Sequence, residues 1–440
     1  MTYAQAVARL LALRGGEHAG MRPGLERIEG LLGALGNPER RYTLVQVGGT
    51  NGKGSTAAML AAMLRAHGRR VGLYTSPHLL SLRERIRVDG TAISEDALAD
   101  GCDALATLIA RHDATMFEAT TALALDWFEG EGVEVAVLEV GLGGRLDSTT
   151  VGLPAAAVVT RIDLDHQAWL GDTLGAIAVE KAAIVRPGVG AAFSAAQAPA
   201  AESVLVQRAR QAGVALHMEG RDLRVEVKER SLGGQRIRCF GPGWETGDLR
   251  LGMLGTYQSS NALLAVAAAR ALGVPDGAVA AGLRRARWPG RFEVRPHHGG
   301  WLVLDGAHNP GGALALADSL TAYFGGQPLT LVAGISSDKD AASILGTLAP
   351  LAARVILTAA SHARAAPPAA LAAVMPSTAA VVQCAASAGE ALALAAAPPR
   401  TPVVCVAGSL FLVADALRAL GAGDEPCAVE NTEDGLDSAL

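Results

Sequence analysis

The segment 45–60, VQVGGTNGKGSTAAML, combines a short apolar run with four glycines, a lysine and neighbouring hydroxyl side chains. Such a segment can bring backbone N–H groups and the positive end of a helix against a phosphate. The usual phosphate-loop signature is Gly, four residues, then Gly-Lys followed directly by Ser or Thr. Here Val47 occupies the first Gly position, and Gly54 separates Lys53 from Ser55. The segment therefore indicates a phosphate-binding loop that departs from this signature at both ends.

The residue types of the loop predict separate roles. We expect Lys53 to reach the terminal phosphates, and Ser55 or Thr56 to cap the following helix and face a metal ion. The alternative is a Gly-rich turn between a strand and a helix, with Lys53 at the surface. Packing alone rarely needs a Gly-Lys-Gly-Ser-Thr run directly after a hydrophobic strand, so phosphate binding is favoured.

Composition narrows the possible ligands and compartments. The 440 residues are half hydrophobic and carry 38 basic and 43 acidic side chains, for a net charge of -5. This balance offers no electrostatic footprint for nucleic acid, so any bound polyanion must be small. Five scattered cysteines without paired spacing argue against disulfides or zinc. With no signal peptide at the N-terminus and no bilayer-length apolar run, we expect a cytoplasmic protein without membrane partners.

Alternating β-branched runs and helical patterns predict an α/β protein of two domains. We expect residues 1–290 to form a mostly parallel sheet, with a small antiparallel addition where 222–252 alternates polar and apolar residues. After Pro289-Gly290, residues 291–422 repeat the alternation as a second α/β domain. The acidic segment 423–440 lacks periodicity and is expected to be a disordered tail.

The loop GTNGKGST resembles the ATP loop of the amide ligases that include the Mur ligases and folylpolyglutamate synthase. The Mur enzymes place Ser or Thr directly after the Lys, whereas the folate enzymes carry an extra Gly, as Gly54 does here. Further blocks in both domains, among them YTSPHLLSLRERIRVDG, LEVGLGGRLDST, WPGRFE, DGAHNP and SDKD, resemble the bifunctional dihydrofolate synthase/folylpolyglutamate synthases. The resemblance implies an N-terminal domain like the phosphate-loop ATPases and a Rossmann-like C-terminal domain.

Glu139 lies at the end of the predicted strand VEVAVLEV, and His166 follows the strand that ends near Ile162, so both lie where ligand sites form in α/β sheets. The resemblance makes Ser76, Glu139 and His166 ligands of Mg²⁺. It also implies that Lys181 is a carbamylated lysine that supports a second Mg²⁺, with K⁺ as a further candidate cation. Carbamylation requires a partly buried, neutral amine; an exposed Lys181 beside Glu180 is the alternative.

For ATP, the resemblance extends from the loop into the second domain. Arg291 would clamp the γ-phosphate when the domains close. Tyr257 stands where the family usually has His, so no acid/base role is assigned to it. The implied ATP-binding residues are Gly49, Thr50, Asn51, Gly52, Lys53, Gly54, Ser55, Thr56, Asn261, Arg291 and Asp305.

The resemblance places the pterin of the pteroate substrate against Thr115, Phe117 and Asp147. Phe117 would stack on the ring, and Asp147 would accept its N–H groups. Each residue also has a structural alternative, since Phe117 could belong to the core and Asp147 could cap the next turn. His308 and Ser409 of the second domain are candidates for holding glutamate.

The resemblance implies a Mg²⁺- and ATP-dependent ligase that joins L-glutamate to dihydropteroate and to tetrahydrofolates through an acyl phosphate. Lys53, His166, Lys181, Arg291 and His308 would serve catalysis, and we expect a monomer. A monofunctional folylpolyglutamate synthase would share nearly every block, and a catalytically silent nucleotide-binding relative is a further alternative. A peptidoglycan ligase is disfavoured by Gly54.

Overall fold

The structure is a computed structural model that describes residues 1–13, 22–377 and 380–430. Its larger sheet has eight strands in the order β4-β3-β2-β5-β1-β6-β7-β8, parallel except for the β2-β3-β4 edge. The strands are β1 (Thr43–Gly48), β2 (Val71–Tyr74), β3 (Ile86–Val88), β4 (Thr91–Ala92), β5 (Val135–Glu139), β6 (Pro154–Val159), β7 (Ala191–Ser194) and β8 (Leu216–Met218).

Helices cover both faces of this sheet, as a buried parallel sheet requires. In β1, Val45 and Val47 belong to one hydrophobic cluster and Leu44 to the other, because successive side chains of a strand point to opposite faces. The helices of this domain are α1 (Tyr3–Ala12), α2 (Glu26–Ala34), α3 (Lys53–Ala66), α4 (Glu95–Arg111), α5 (Met116–Gly130), α6 (Gln167–Leu170), α7 (Leu174–Ala182), α8 (Pro199–Ala212), α9 (Gln258–Ala271) and α10 (Asp276–Arg285).

The two faces have separate cores. On one face, α3, α9 and α10 pack together over β1, β5 and β6, and a small antiparallel sheet adds to this core. On the other face, α1, α2, α4 and α5 form the second core. The small sheet confirms the expected hairpins and consists of β9 (Arg224–Ser231), β10 (Gly234–Gly241), β11 (Trp244–Glu245) and β12 (Leu249–Leu251).

The C-terminal domain is a six-stranded sheet in the order β13-β14-β18-β15-β16-β17, with only β13 antiparallel. Its strands are β13 (Glu293–His297), β14 (Gly300–Leu304), β15 (Leu329–Ala333), β16 (Arg354–Leu357), β17 (Val381–Cys384) and β18 (Val403–Ala407). Its helices are α11 (Pro310–Phe324), α12 (Ala341–Leu348), α13 (Pro368–Ala373), α14 (Ala388–Ala396) and α15 (Leu410–Ala419). The mostly parallel arrangement confirms the expected second α/β unit.

Residues 423–430 differ from the disordered tail that their composition predicts. The backbone carbonyl of Cys427 accepts a hydrogen bond from Arg87 at 2.7 Å, and Glu430 pairs with Arg65 at 2.9 Å. Val429 accepts from the backbone N–H of Arg287 at 2.8 Å. These contacts with the N-terminal domain order a segment that lacks periodicity of its own, whereas residues 431–440 lie outside the described residues.

Within the described ranges, no helix combines the length and the apolar character needed to cross a bilayer.

Candidate active site

One cavity of about 1050 Å³ collects nearly all of the residues that the sequence marks for chemistry. It lies between the two domains, at the carboxyl ends of β1, β5 and β6 and beneath the start of the C-terminal domain. Two members of the predicted set, Gly49 and Thr56, do not line it. The predicted residues that line it are Thr50, Asn51, Gly52, Lys53, Gly54, Ser55, Ser76, Thr115, Phe117, Glu139, Asp147, His166, Lys181, Asn261, Arg291, Asp305, His308 and Ser409.

The phosphate loop turns directly from β1 into α3, whose first residue is Lys53. Gly52 has a φ of +97°, and a Cβ there would lie 2.3 Å from Oδ1 of Asn261. A Cβ at Gly54 would lie 2.7 Å from Nε1 of Trp288. Gly54, the residue that interrupts the usual signature, therefore allows Trp288 to pack closely on the loop.

The expected helix cap is wrong, because α3 begins two residues before Ser55. Gly52 occupies the capping position and makes no side-chain cap bond. The Ser55 hydroxyl instead accepts a hydrogen bond from Nε2 of Gln258 at 3.2 Å. The Thr56 hydroxyl is buried inside the helix and has no partner among the described residues. Of the two predicted hydroxyl residues, Ser55 is therefore the one that lines the cavity.

Lys53 and Glu139 place opposite charges at the base of the cleft. Nζ of Lys53 donates to the carbonyl of Thr50 at 3.1 Å. The carboxylate of Glu139 is buried and accepts the backbone N–H of Ser76 at 3.1 Å. Burial raises the pKa of Glu139, while the charges of Lys53 and Arg291 oppose that rise. A buried carboxylate with spare lone pairs beside a phosphate loop fits a Mg²⁺ ligand.

Lys181 lies on α7, is only 3% exposed and donates from Nζ to the carbonyl of Gly49 at 2.8 Å. Burial, reinforced by the charge of Lys53, lowers the pKa of Lys181 to about 7. Gly49 therefore contributes to the site through its carbonyl rather than by lining the cavity. A buried amine that is substantially neutral near pH 7 has the property that carbamylation requires.

Asp165 of the N-terminal domain contacts side chains of the C-terminal domain across the cleft. Its carboxylate lies 2.5 Å from Nζ of Lys339 and 3.5 Å from Nε2 of His308, and it accepts from Nδ2 of Asn309 at 2.9 Å. Burial alone would raise the pKa of Asp165, but the hydrogen bond and charge of His308 and the charge of Lys339 hold it well below its usual range. Asp165 thus connects the two domains at the active site.

His166 adopts a left-handed conformation, with a φ of +52°, directly before α6. Desolvation in the cleft lowers the pKa of His166 to about 4, against the opposing charge of Asp165. The ring is therefore neutral near pH 7, as a metal-ligating imidazole must be. Among the described residues, no three His, Cys, Asp or Glu side chains converge as a metal site, so phosphate and water oxygens would have to complete the coordination of Mg²⁺.

Arg291 and Asp305 occupy the start of the C-terminal domain. Asp305 is buried and accepts the Tyr257 hydroxyl at 2.9 Å and the backbone N–H of Phe292 at 2.7 Å. Burial raises the pKa of Asp305, and the charge of Arg291 opposes that rise. Tyr257, which replaces the usual His, is thus a hydrogen-bond donor that joins the first helix turn of α9 to the second domain.

The three residues assigned to pterin are satisfied largely by protein groups. The Thr115 hydroxyl caps α5 and bonds Glu118. Asp147 accepts from Thr149 and from the backbone N–H of Leu142, at 2.6 and 2.8 Å. Phe117 lies against Tyr74, with ring centroids 6.0 Å apart. All three residues line the cavity. Their contacts also fit the structural alternatives, in which Phe117 belongs to the core and Asp147 caps the next turn.

Of the two residues predicted to hold glutamate, His308 has its Nδ1 2.8 Å from the carbonyl of Gly306, and the Ser409 hydroxyl accepts the backbone N–H of Phe411. Sequence reasoning missed Asp165 and Lys339, although the SDKD block contained the lysine. The two residues are 174 positions apart, and no local pattern indicates that they pair.

Two family descriptions match the chain. The Mur ligase middle domain matches residues 47–269, and the glutamate ligase domain of the Mur ligases matches residues 290–410. The crystal structure of Mycobacterium tuberculosis folylpolyglutamate synthase complexed with ADP and AMPPCP has a TM-score of 0.88 and 33% identity, covering 97% of this chain and 99% of that one.

Relatives with established names agree with these matches. The dihydrofolate synthase/folylpolyglutamate synthase of Mycobacterium tuberculosis is 36% identical over 76% of this chain and 74% of its own length. A probable bifunctional folylpolyglutamate synthase/dihydropteroate synthase of Haloferax volcanii is 40% identical over 94% of this chain, which spans only 50% of that relative. The chain belongs to the Mur ligase family, in the group of the dihydrofolate synthases and folylpolyglutamate synthases.

Proposed function

We propose that this protein uses ATP to join L-glutamate to dihydropteroate and to the glutamate tail of tetrahydrofolates. The observation that carries the proposal is the interdomain cavity, which combines the phosphate loop, Lys53 and Glu139 with Arg291, Asp305, His308 and Ser409. The matched solved relative binds ADP and AMPPCP, which supports ATP as the nucleotide here.

The first step is phosphoryl transfer to the carboxylate of the pteroate or folate. A carboxylate oxygen attacks the γ-phosphorus, the bond from phosphorus to the ADP oxygen breaks, and an acyl phosphate forms. Lys53 and Arg291 approach the reacting phosphate from opposite domains and stabilise its charge. The protein thus accelerates this step by positioning and charge neutralisation.

The second step joins the amine. The glutamate nitrogen attacks the carbonyl carbon of the acyl phosphate, the C–O bond to phosphate breaks, and inorganic phosphate and a proton leave. His308 and Ser409 line the side of the cavity that belongs to the C-terminal domain, where glutamate would enter. The contacts of Asp165 with His308, Asn309 and Lys339 hold the domains together and limit access of water to the acyl phosphate.

The residues present fit a Mg²⁺ site. Ser76, Glu139 and His166 would hold the ion, which neutralises phosphate charge when bound. Carbamylated Lys181 would add a carboxylate beside the loop, where its Nζ donates to the carbonyl of Gly49. In that role, the side chain changes from a competing cation near Lys53 into a further oxygen donor.

A monofunctional folylpolyglutamate synthase is the second candidate. The hydrogen bonds of Asp147 to Thr149 and Leu142, and of Thr115 to Glu118, favour it because these groups are occupied without a pterin. Under this candidate, Thr115, Phe117 and Asp147 serve the fold alone.

The test is L-glutamate-dependent phosphate release from Mg·ATP, with dihydropteroate and tetrahydrofolate supplied separately and the products identified by mass. We expect turnover of both substrates. Turnover of tetrahydrofolate alone would select the monofunctional candidate. Turnover of neither, by protein that still binds ATP, would favour a catalytically silent relative.

A further inference from the structure

A second cavity, of about 980 Å³, lies behind α7 and is separate from the ligation cleft. Val179 and Ala182 of α7 line it, whereas Lys181 of the same helix lines the cleft. Of the described residues, only Arg145 lines both cavities. The helix that carries the reactive lysine is therefore the wall between two separate spaces.

Four arginines line this second cavity, and two of them have no ionic partner among the residues that the structure describes. Arg40 and Arg145 pair with Glu39 and Glu180. Arg186 and Arg208 make no ion pair within the described part of the chain and donate instead to backbone carbonyls, at 2.7 Å to Gly152 and 2.8 Å to Val185. Burial and the charge of Arg208 lower the pKa of Arg186. Two like charges facing one space favour an anion between them.

Glu39, which also lines this cavity, carries an unused acceptor. Glu39 is only 4% exposed, and its Oε2 is buried without a hydrogen-bond partner among the described residues. The other oxygen lies 3.3 Å from Nε of Arg40. A buried carboxylate oxygen without a donor is costly, so a rotation of the Glu39 side chain that brings this oxygen to a ligand N–H in the cavity would be favoured.

Hydrogen bonds lead from this cavity towards the cleft. Nη1 of Arg186 donates to Oε1 of Gln46 at 3.3 Å, and Nε2 of Gln46 donates to the Thr149 hydroxyl at 3.3 Å. That hydroxyl donates to Oδ1 of Asp147 at 2.6 Å. A ligand that reorients Arg186 would therefore change the hydrogen bonding of a residue that lines the cleft.

We propose that this second cavity binds a short chain carrying several carboxylates and amide N–H groups, the chemistry of an oligo-γ-glutamyl peptide. Carboxylates would pair with Arg186 and Arg208, and an amide N–H would donate to Glu39. The volume suits a ligand of several residues rather than a single inorganic ion. Naming the chain as γ-glutamyl rests on the proposed function, whereas the preference for an anion with N–H groups does not.

The experiment is calorimetric titration of the full chain with tri-γ-glutamate at low salt, without ATP or pteroate. We expect saturable binding whose affinity decreases as the salt concentration rises. The affinity for tri-γ-glutamate should fall at least tenfold in Arg208→Gln and in Arg186→Gln. The matched control is Arg210→Gln, since Arg210 lies on the same helix, α8, but does not line the cavity. Thermal unfolding establishes that each variant is folded.

Absence of binding, or equal binding in Arg208→Gln and the unsubstituted protein, would overturn the proposal. Inorganic phosphate that binds as tightly as tri-γ-glutamate would overturn the assignment to a peptide chain. In turnover assays, tri-γ-glutamate should shift the KM for dihydropteroate several-fold, and Arg208→Gln should abolish the shift. Because the titration needs no turnover, a protein that binds the peptide but ligates nothing would contradict the proposed function alone.

Discussion

We assign Lys53, Glu139 and Lys181 to a nucleotide side of the cleft and Thr115 and Asp147 to a pteroate side, and these two proposed sides differ in how far their polar groups are already satisfied by the protein. Within the described part of the chain, Lys53 and Lys181 donate only to loop carbonyls, and Glu139 accepts a single backbone N–H. Asp147, by contrast, accepts from two neighbouring segments, and Thr115 exchanges hydrogen bonds with Glu118. Polar groups with unused capacity are the better candidates for binding a ligand, because burial without partners is otherwise costly.

The comparison predicts large losses of activity on the nucleotide side. Lys53→Met removes the cation that lies nearest the expected phosphates, and we expect kcat to fall about 10²- to 10³-fold. Steady-state phosphate release measures the loss. Lys228→Met is the control, because Lys228 pairs with Glu226 on β9, outside the cleft. A Lys53→Met enzyme with nearly unchanged kcat would contradict the assignment of the reacting phosphates to this side of the cleft.

Carbamylation of Lys181 provides a second test of the nucleotide side. With a pKa of about 7, the neutral fraction of the amine rises from roughly a tenth at pH 6 to roughly nine tenths at pH 8. Incorporation of ¹³C-bicarbonate, followed by the carbamate signal in NMR, should rise over the same interval. We expect Lys181→Ala to lower kcat about 100-fold and Lys181→Glu to restore part of the activity.

The control is Lys181→Arg, which keeps the positive charge but cannot form the carbamate. A carbamate signal that persists in this variant would place the modification elsewhere. A signal that does not change between pH 6 and pH 8 would contradict a pKa near 7.

On the pteroate side, Asp147→Asn distinguishes binding from support of the fold. If Asp147 accepts N–H groups of the pterin of dihydropteroate, and the pterin of tetrahydrofolate binds elsewhere in the cleft, kcat/KM for dihydropteroate should fall about tenfold more than that for tetrahydrofolate, the loss of roughly one hydrogen bond. Thr149→Val is the matched control, because it removes the bond to Asp147 from the side away from the cleft. Equal losses for both substrates in both variants would assign Asp147 to the fold.

The phosphate loop could be predicted from sequence because its chemistry is local. Strand, glycine turn and helix follow within residues 43–66, and each glycine has a nearby steric reason. The membership of the cleft could also be predicted, since parallel strands bring their carboxyl ends to one edge. The cleft residues of the second domain were predicted from the family resemblance, because no local sequence pattern indicates that they join this site.

Other features depend on distant contacts that a single sequence does not display. The pairing of Asp165 with Lys339 joins segments from different domains. Residues 423–430 are ordered by Arg65 and Arg87 rather than by their own periodicity. The misplaced cap at Ser55 has a local cause, because Gly52 tolerates the left-handed conformation and lets the helix begin earlier.

Tyr257 contacts Asp305 on the nucleotide side and gives the smallest expected effect. Tyr257→Phe removes the donor to Asp305, and the loss of about 1 kcal/mol would lower kcat/KM for ATP roughly fivefold. Because the Tyr257 hydroxyl acts to lower the pKa of Asp305, the acid limb of the pH profile should move to higher pH in this variant. Tyr257→His, which restores a ring donor, should recover the original limb. An unchanged profile in Tyr257→Phe would show that Asp305 is held by the backbone N–H groups of Phe292 and Ala307 alone, and that the nucleotide side tolerates loss of a donor as readily as the pteroate side.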